Sequence, residues 1–265
     1  MLEFASPTSH IQAFRDGSIG WLILNRPARR NALNAEMWEA IPPLMKSLDE
    51  SPDVRVIVIR GAGPDAFAAG ADISEFGETR SNAEAARDYE ALNRAALAAI
   101  RAAGKPVMAM IQGFCIGGGL AIALACDLRV ADASAQLALP PSRLGLAYPL
   151  DGLRDLVATV GPAHAKELLF TAKRLKAHEA LRIGLINHEF ADIEPETREL
   201  CRSIAEGAPL SIAHAKRAVD LVAGRPGAGD EALVNELADR CFDSADYAEG
   251  RTAFAEKRKP AFRGQ

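Results

Sequence analysis

The chain has 265 residues, and its 31 Lys and Arg against 35 Asp and Glu give a formal net charge of −4 at pH 7. Hydrophobic residues make up 49% and charged residues 25%, which excludes a disordered chain, a collagen-like repeat and a disulfide-stapled miniprotein. The length is compatible with one large domain, or with one domain and a small appendage. Because the charge balance is slightly acidic, no nucleic-acid partner is expected.

The cysteines, the histidines and the N-terminus indicate a cytoplasmic protein without a metal centre. The four cysteines are far apart and form no CxxC pair, which favours small thiols in a reducing compartment, and the five histidines have no metal-ligand spacing. The N-terminal MLEFASPTSH lacks the basic and apolar regions of a secretory signal. The longest apolar stretch, residues 117–126, is about half a membrane span, so no membrane partner is expected.

The first half of the chain alternates between strand and helix patterns. A first strand is predicted over 18–24 (SIGWLIL), and Asn34 is predicted to cap a helix that the Pro42-Pro43 pair should kink or break. Next come a buried strand over 54–60 (VRVIVIR) and a long Ala-rich helix from Ser81 to about Ala103.

The second half begins with a strand and ends in helices. A strand over 107–111, a glycine-rich turn over 113–119, a helix over 120–125 and a strand over 128–130 indicate a layered α/β core with parallel elements. Helices are then predicted near 162–172, 177–183, 195–206, 209–223, 230–241 and 245–258. We therefore expect an α/β core over residues 1–195 and a helical C-terminal segment over 196–265 that acts as a lid or an oligomerisation surface.

Two glycine-rich segments follow buried strands. Residues 61–72 (GAGPDAFAAGAD) follow the strand over 54–60, and residues 113–119 (GFCIGGG) follow the strand over 107–111. Small residues at a strand end let backbone approach a ligand closely and present N–H groups to it. Tight packing turns are the alternative interpretation of the same composition.

A dinucleotide site is disfavoured in the first segment. Gly61, Gly63 and Ala66 match GxGxxA after a strand, but that fingerprint needs a helix that opens inside the motif. Here residues 64–70 are predicted to continue as loop.

The two segments together suggest an oxyanion hole. Gly117 to Gly119 open a predicted helix with residues that lack side chains, so free N–H groups and the positive end of the helix dipole face a ligand. One N–H from this turn and one from the Gly70-Ala71 loop can converge on a single carbonyl oxygen. Such a pair stabilises the charge that develops on a thioester or ester enolate.

Four motifs in order resemble the crotonase (enoyl-CoA hydratase/isomerase) superfamily. They are Asn25-Arg26-Pro27 with Asn31-Ala32-Leu33, AFAAGADISEF (66–76), GFCIGGGLAIALACD (113–127) and a C-terminal helix pattern over 246–262. The resemblance implies a crotonase-like spiral of β-β-α units, a homotrimer or a dimer of trimers, and a coenzyme A thioester substrate. It implies no separate cofactor, since coenzyme A is part of the substrate.

The resemblance also assigns residues to the site by position. Ala71 and Gly118 would donate the oxyanion-hole N–H groups. Contacts with the adenine and phosphates of coenzyme A would come from Arg30, Ala32 and Ala69, and from Phe254 and Lys257 of this or a neighbouring subunit. For Lys257, a solvated helix charge is an equally good interpretation.

The usual hydration with two glutamates is not expected. The resemblance places those glutamates at Ala121 and Pro141, neither of which can titrate. Between residues 113 and 150 the only carboxylates are Asp127 and Asp132, for which a structural role is expected.

A subgroup offers another reaction. LGLAYPLDGL (144–153) and the run over 166–188 are similar to methylmalonyl-CoA decarboxylase-type crotonases, in which a tyrosine at the position of Tyr148 faces the substrate carboxylate; a histidine that this type can carry is replaced by Ala71. Decarboxylation forms the enolate without a general base, so a lyase reaction on a malonyl-type acyl-CoA is favoured, with Tyr148 as positioning group or proton donor.

Two alternatives to decarboxylation remain open. One is an enoyl-CoA hydratase or isomerase that takes its carboxylate from Asp72, Glu75 or Asp151. The other is a non-catalytic acyl-CoA-binding protein. Tyr148 itself has the alternative role of a pocket wall.

Overall fold

The computed structural model describes residues 2–72 and 83–265, with the backbone alone for residues 83–86. Within these ranges the chain forms two β-sheets, ten α-helices and a short 3-10 helix, Pro27–Arg29. The helix start predicted at Ser81, and Glu75 as a candidate carboxylate, lie outside the described residues. No helix in the described ranges is long and apolar enough to cross a membrane.

The larger sheet has seven strands in the order β1-β2-β3-β4-β6-β8-β11. The first three strands pair antiparallel, and β3, β4, β6, β8 and β11 pair parallel. The bounds are β1 Leu2–Phe4, β2 Ile11–Asp16, β3 Ile19–Leu24, β4 Val56–Gly61, β6 Val107–Ile111, β8 Leu128–Asp132 and β11 His188–Phe190. The four predicted strands are therefore confirmed as β3, β4, β6 and β8, while β1 and β2 precede the strand that was expected to be first.

The smaller sheet has four strands in the order β10-β9-β7-β5. Its members are β5 Ala66–Ala68, β7 Phe114–Ile116, β9 Gln136–Ala138 and β10 Leu175–Lys176. Both glycine-rich segments, predicted as loop or turn, contain a short strand. The sequence does not reveal these strands, because three residues are too few to show an alternation of polar and apolar side chains. Strands β4, β6 and β8 of the large sheet each lead into a strand of the small one and then into a helix, which confirms the expected β-β-α architecture.

The helices cover the sheets and form the C-terminal part of the chain. Their bounds are α1 Ala35–Glu50, α2 Ala83–Ala102, α3 Gly118–Ala125, α4 Pro141–Leu144, α5 Leu150–Thr171, α6 Ala177–Arg182, α7 Ile193–Ala205, α8 Pro209–Val222, α9 Glu231–Phe242 and α10 Ala245–Glu256. The predicted C-terminal helices are confirmed, but α5 begins at Leu150 and turns at Gly161 (φ 72°) rather than starting at Pro162. The expected domain boundary at 195/196 falls within α7, and the division stays a prediction.

The proline pair does not end α1, so of the predicted kink or break the break is wrong. The helix starts at Asn34, whose side chain accepts a hydrogen bond from the Met37 amide, and runs through Pro42 and Pro43 to Glu50. Its buried face lies on both sides of the prolines, at Met37, Trp38, Ala40, Ile41, Leu44, Met45 and Leu48. Burying several large side chains stabilises the helix by about 1.5–3 kcal/mol each, which outweighs the cost of about 3 kcal/mol for an interior proline.

Candidate active site

The main-chain amide of Ala71 faces away from the strand segment beside it. Leu33 donates its N–H to the Gly70 carbonyl at 2.8 Å and accepts the Asp72 N–H at 2.8 Å. In an extended chain successive peptide groups point to alternate sides. The Ala71 N–H therefore points to the side opposite Leu33, and among the described residues it has no acceptor.

The amide of Gly118 is at the start of α3. Gly117 takes φ 53°, a conformation that favours glycine, and donates its own N–H to the Ala138 carbonyl at 2.9 Å. Gly118 is the first residue of α3, so its N–H has no acceptor inside the helix. A Cβ at Gly118 would lie 3.1 Å from Trp38 Cζ2 and 3.2 Å from Leu33 Cδ1, so this residue is packed closely on α1 and the segment before it.

The two glycine-rich segments run side by side. Strands β5 and β7 are parallel neighbours, with Ala66 opposite Phe114. Beyond their carboxyl ends, a Cβ built on Gly117 would lie 3.9 Å from the Gly70 Cα, and one built on Gly119 would lie 2.4 Å from the Ala68 carbonyl oxygen. The peptide chains are thus in contact at the point where Ala71 and Gly118 present their amides. That both N–H groups converge on one oxygen stays a prediction.

Three of the expected coenzyme A contacts adjoin Ala71. The Ala69 N–H donates to the Arg30 carbonyl at 3.0 Å, and the Ala32 carbonyl accepts a hydrogen bond from Arg26 Nη1 at 2.7 Å. The guanidinium carbon of Arg30 lies 5.0 Å from the centroid of the ring of Phe114, which is the first residue of β7. A cation is therefore present beside the backbone that leads to Ala71.

The other two expected contacts lie elsewhere in the chain. Phe254 is on α10 and 87% exposed, and Lys257 follows the helix with φ 55°. The tail beyond them packs near Arg55, whose Nη2 donates to the Phe262 carbonyl at 2.7 Å. Since Arg55 precedes β4 and Ala71 comes after its carboxyl end, these residues are at opposite ends of the parallel strands. Their contact with coenzyme A stays a prediction, and it would require a neighbouring subunit.

Tyr148 carries a buried hydroxyl. The residue as a whole is half-buried, but its hydroxyl oxygen is inaccessible and has no hydrogen-bond partner among the described residues. Burial raises the pKa of Tyr148 above its ordinary value, and the negative charges of Asp155 and of Cys115 on β7 raise it further. The hydroxyl therefore stays protonated at neutral pH.

Neither position assigned to the glutamates of a hydratase can titrate here. Ala121 lies three residues after Gly118 on α3, and Pro141 begins α4. Asp127 accepts the Val107 N–H at 2.7 Å and pairs with Lys216, and Asp132 bonds Ser134 and Gln112. The structural roles expected for both aspartates are confirmed.

The two described aspartates that could replace the glutamates differ in environment. Asp72 is buried and forms an ion pair with Arg26, Oδ2 to Nη1 at 2.9 Å. Asp151 is partly exposed in the first turn of α5, with Arg154 Nη1 at 3.4 Å from Oδ1. Asp151 alone of the two has a carboxylate that a substrate or water can reach. Sequence reasoning missed the Arg26–Asp72 pair, because no spacing signal links residues so far apart in the chain.

The thiols match the expectation of small buried groups. Cys115, Cys126 and Cys201 are buried and Cys241 is half-buried, all four as free thiols. Burial raises the pKa of Cys126 and of Cys201 to about 12, so neither is a nucleophile at neutral pH. In residues 2–72 and 83–265, no three His, Cys, Asp or Glu side chains are grouped so that they could hold a metal ion.

Known proteins share both the sequence and the fold. The family model described as enoyl-CoA hydratase/isomerase matches residues 15–265. A short-chain-enoyl-CoA hydratase of Clostridium acetobutylicum is 34% identical over 249 residues, 92% of this chain and 94% of that protein. A crotonyl-CoA hydratase of Syntrophomonas wolfei is 36% identical over 253 residues, 94% of this chain and 95% of that protein.

A solved structure is similar over nearly the whole chain. It is an enoyl-CoA hydratase/carnithine racemase from Magnetospirillum magneticum, with a TM-score of 0.91 and 37% identity, and the match covers 98% of this chain and 97% of that one. Sequence, fold and the two adjoining glycine-rich segments agree, and the protein belongs to the enoyl-CoA hydratase/isomerase family of the crotonase superfamily.

Proposed function

We propose that this protein is an acyl-CoA lyase that holds the thioester oxygen of its substrate between the N–H groups of Ala71 and Gly118. The observation that carries the proposal is the contact between the two glycine-rich segments, 3.9 Å from a Cβ built on Gly117 to the Gly70 Cα. Two donors aimed at an oxygen on which charge develops lower the barrier to any reaction that passes through the enolate. The guanidinium of Arg30 beside Phe114 has no ion-pair partner among the described residues, and it is suited to the phosphates of coenzyme A.

Hydration of an enoyl-CoA is the reaction that the named relatives support. Water adds to the β-carbon, the thioester oxygen takes the negative charge, and the α-carbon of the enolate then takes a proton. In this protein Asp151 would accept the proton from water and the Tyr148 hydroxyl would protonate the α-carbon. Asp72 is unsuited to either role, because its carboxylate is both buried and paired with Arg26, whereas that of Asp151 is partly exposed.

Decarboxylation of a malonyl-type acyl-CoA is the second candidate. It is favoured by the non-titrating Ala121 and Pro141, and by the hydroxyl of Tyr148, which has no partner in the described part of the chain. Cleavage of the bond between the α-carbon and the carboxylate releases CO₂ and leaves its electron pair on the enolate. A proton donor then completes the reaction, so no general base is needed.

A homotrimer or a dimer of trimers is part of the proposal. Large apolar side chains are exposed on α8 to α10, among them Val222 at 89% and Phe254 at 87%. Such a face is suited to burial against another copy of the chain. Light scattering of the purified protein measures the assembly directly, and a monomer would contradict this part of the proposal.

The test uses crotonyl-CoA and methylmalonyl-CoA in separate reactions, following loss of the enoyl absorbance and release of CO₂. Tyr148→Phe and Asp151→Asn are compared with Tyr247→Phe, which removes an exposed hydroxyl on α10. Hydration that falls by tenfold or more in Asp151→Asn and is unchanged in Tyr247→Phe supports the hydratase.

Other outcomes overturn that assignment. Release of CO₂ that depends on Tyr148, with crotonyl-CoA untouched, would establish the decarboxylase instead. Binding of both thioesters without turnover would leave a non-catalytic acyl-CoA-binding protein, and no binding would refute the proposal altogether.

A further inference from the structure

Buried charges meet at the carboxyl end of α3, the end opposite Gly118. Arg129 is 6% exposed and Asp155 is 1% exposed. Arg225 joins them from the segment between α8 and α9, and its side chain is 11% exposed. The proposed reaction uses none of these groups, so their role needs another explanation.

Arg129 binds the last carbonyl groups of α3. Its Nη1 donates to the Cys126 carbonyl at 3.0 Å and to the Ala123 carbonyl at 3.3 Å. Its Nε donates to the Leu185 carbonyl at 2.9 Å. The guanidinium thus satisfies carbonyls that have no donor inside the helix, and its charge is placed at the negative end of the helix dipole.

Arg225 completes this cap from the C-terminal part of the chain. Its Nη2 donates to the Leu124 carbonyl at 2.6 Å, and its Nε lies 3.2 Å from Asp155 Oδ1. Arg101 holds the other oxygen of the same carboxylate, Nη1 to Oδ2 at 2.8 Å. Arg225 is therefore fixed on one side by Asp155 while it binds α3 on the other.

Contacts at both ends of α3, together with the packing of its buried side chains, fix where the helix lies along its axis. Its eight residues, GGLAIALA, carry no polar side chain, so no side-chain hydrogen bond of the helix can fix it to its neighbours. At its amino end it is confined by the contact of Gly119 with Ala68. At its carboxyl end the holding contacts are those of Arg129 and Arg225. A helix of this length is about 12 Å long and stiff, so a shift at one end moves the other.

We infer that Arg225 is a positioning residue that fixes α3 along its axis and so keeps the Gly118 N–H on the thioester oxygen of the substrate. The inference rests on the proposed function, and it links the helical C-terminal segment to the oxyanion hole. A donor displaced by a fraction of an ångström polarises the carbonyl less, although substrate still binds through its other contacts.

A matched control exists on the same segment. Arg217, on α8, donates through Nη1 to the Arg101 carbonyl at 3.2 Å and through Nη2 to the Ala102 carbonyl. It therefore caps the carboxyl end of α2, a helix that does not lead to Gly118. Loss of either arginine removes a guanidinium cap on a helix end, but only Arg225 caps the helix that carries the proposed donor.

The experiment measures the carbonyl stretch of butyryl-CoA labelled with ¹³C at the thioester carbon, free and bound to wild type, Arg225→Gln, Arg225→Lys and Arg217→Gln. We expect a shift to lower frequency on binding to wild type, a clearly smaller shift in Arg225→Gln, an intermediate one in Arg225→Lys and the full shift in Arg217→Gln. With a turned-over substrate, kcat should fall about tenfold in Arg225→Gln while KM changes less than threefold.

Each failure is distinguishable. A wild type that binds butyryl-CoA without a shift would refute the oxyanion hole of the proposed function, and the inference with it. A wild-type shift that both Arg225 variants retain would overturn the inference alone. Arg225→Lys keeps the positive charge and has one donor nitrogen in place of the guanidinium's three. If Arg225→Gln does not fold, the carbonyl shift in Arg225→Lys therefore decides whether Arg225 positions α3.

Discussion

Arg26 and Asp72 form a buried ion pair that joins two segments of the candidate site. Nη1 of Arg26 is 2.9 Å from Oδ2 of Asp72 and also donates to the Ala32 carbonyl at 2.7 Å. The Asp72 N–H donates to the Leu33 carbonyl at 2.8 Å. The residue directly after Ala71 is thereby tied to the segment before α1. We therefore expect Asp72 to hold the main chain around Ala71 rather than to act as an acid or base.

Replacing Asp72 by Asn should lower the stability of the fold more than it lowers the activity. Removing one partner of a buried ion pair leaves the other charge uncompensated, so we expect the free energy of unfolding to fall by about 3 kcal/mol. Urea unfolding measures this, with Asp65→Asn as a control for an exposed carboxylate in the same segment. An Asp72→Asn protein of unchanged stability that has lost activity by a hundredfold would instead make Asp72 an acid or base.

The buried hydroxyl of Tyr148 should make stability depend on pH in alkaline solution. Its pKa is raised in the folded protein, chiefly by burial, whereas in the unfolded chain it is near 10. Above about pH 10 the unfolded chain releases this proton and the folded protein keeps it. Stability is therefore lost with rising pH, by up to about 1.4 kcal/mol per pH unit for this one group.

The comparison of wild type with Tyr148→Phe isolates that contribution. The difference in their free energies of unfolding should be constant below about pH 9 and should shift against wild type as the pH passes 10. Urea unfolding at a series of pH values measures it, and the other tyrosines and the cysteines cancel in the difference. If the free energies of unfolding of the two proteins change in parallel up to pH 11, the Tyr148 hydroxyl has the same pKa in the folded and the unfolded protein.

Much of the fold could be predicted because its main strands are apolar runs of β-branched residues. The run VRVIVIR identified β4, and SIGWLIL identified β3. Strands β5, β7 and β9 escaped, since each is three residues long and gains its stability from pairing with a distant strand. The continuity of α1 could not be predicted either, because proline's local cost is visible in a sequence while the packing that opposes it is tertiary.

In the candidate site, too, some features could be predicted from the sequence and others could not. The two glycine-rich segments could be located from sequence, because glycines after a buried strand let the backbone approach a ligand, and the family resemblance then assigned Ala71 and Gly118 within them. The orientation of Tyr148 and the contacts of Arg225 could not be, since they depend on how α5 and the C-terminal segment pack on α3. Long-range charge pairs leave no periodic pattern in a sequence.

The proline pair in α1 gives a test of this account of the helix. Pro43 is exposed, and it leaves the Glu39 carbonyl without its helical donor. Pro43→Ala restores that hydrogen bond and should raise the free energy of unfolding by about 1–2 kcal/mol, since part of the gain is offset by a more flexible unfolded chain. Pro52→Ala, in an exposed turn, should give no such gain. A destabilised Pro43→Ala protein would show that the helix needs this proline.

Two variants of Gly118 test whether its main-chain amide is a donor in the reaction. Gly118→Pro removes the N–H, and proline is tolerated at the first position of a helix. Gly118→Ala keeps the N–H, and its Cβ meets the same neighbours, Trp38 at 3.1 Å and Leu33 at 3.2 Å. Steric cost at these neighbours is therefore shared, and the variants differ in the donor and in the proline ring carbon that takes its place.

If the Gly118 N–H stabilises the enolate, kcat should be about 100- to 1000-fold lower in Gly118→Pro than in Gly118→Ala, which is the usual effect of losing one oxyanion donor. Steady-state kinetics with the substrate that wild type turns over measures the ratio, and circular dichroism checks that both variants are folded. Equal values of kcat in two folded variants would mean that the reaction does not use this amide. The charge on the thioester oxygen would then have to be stabilised by another group.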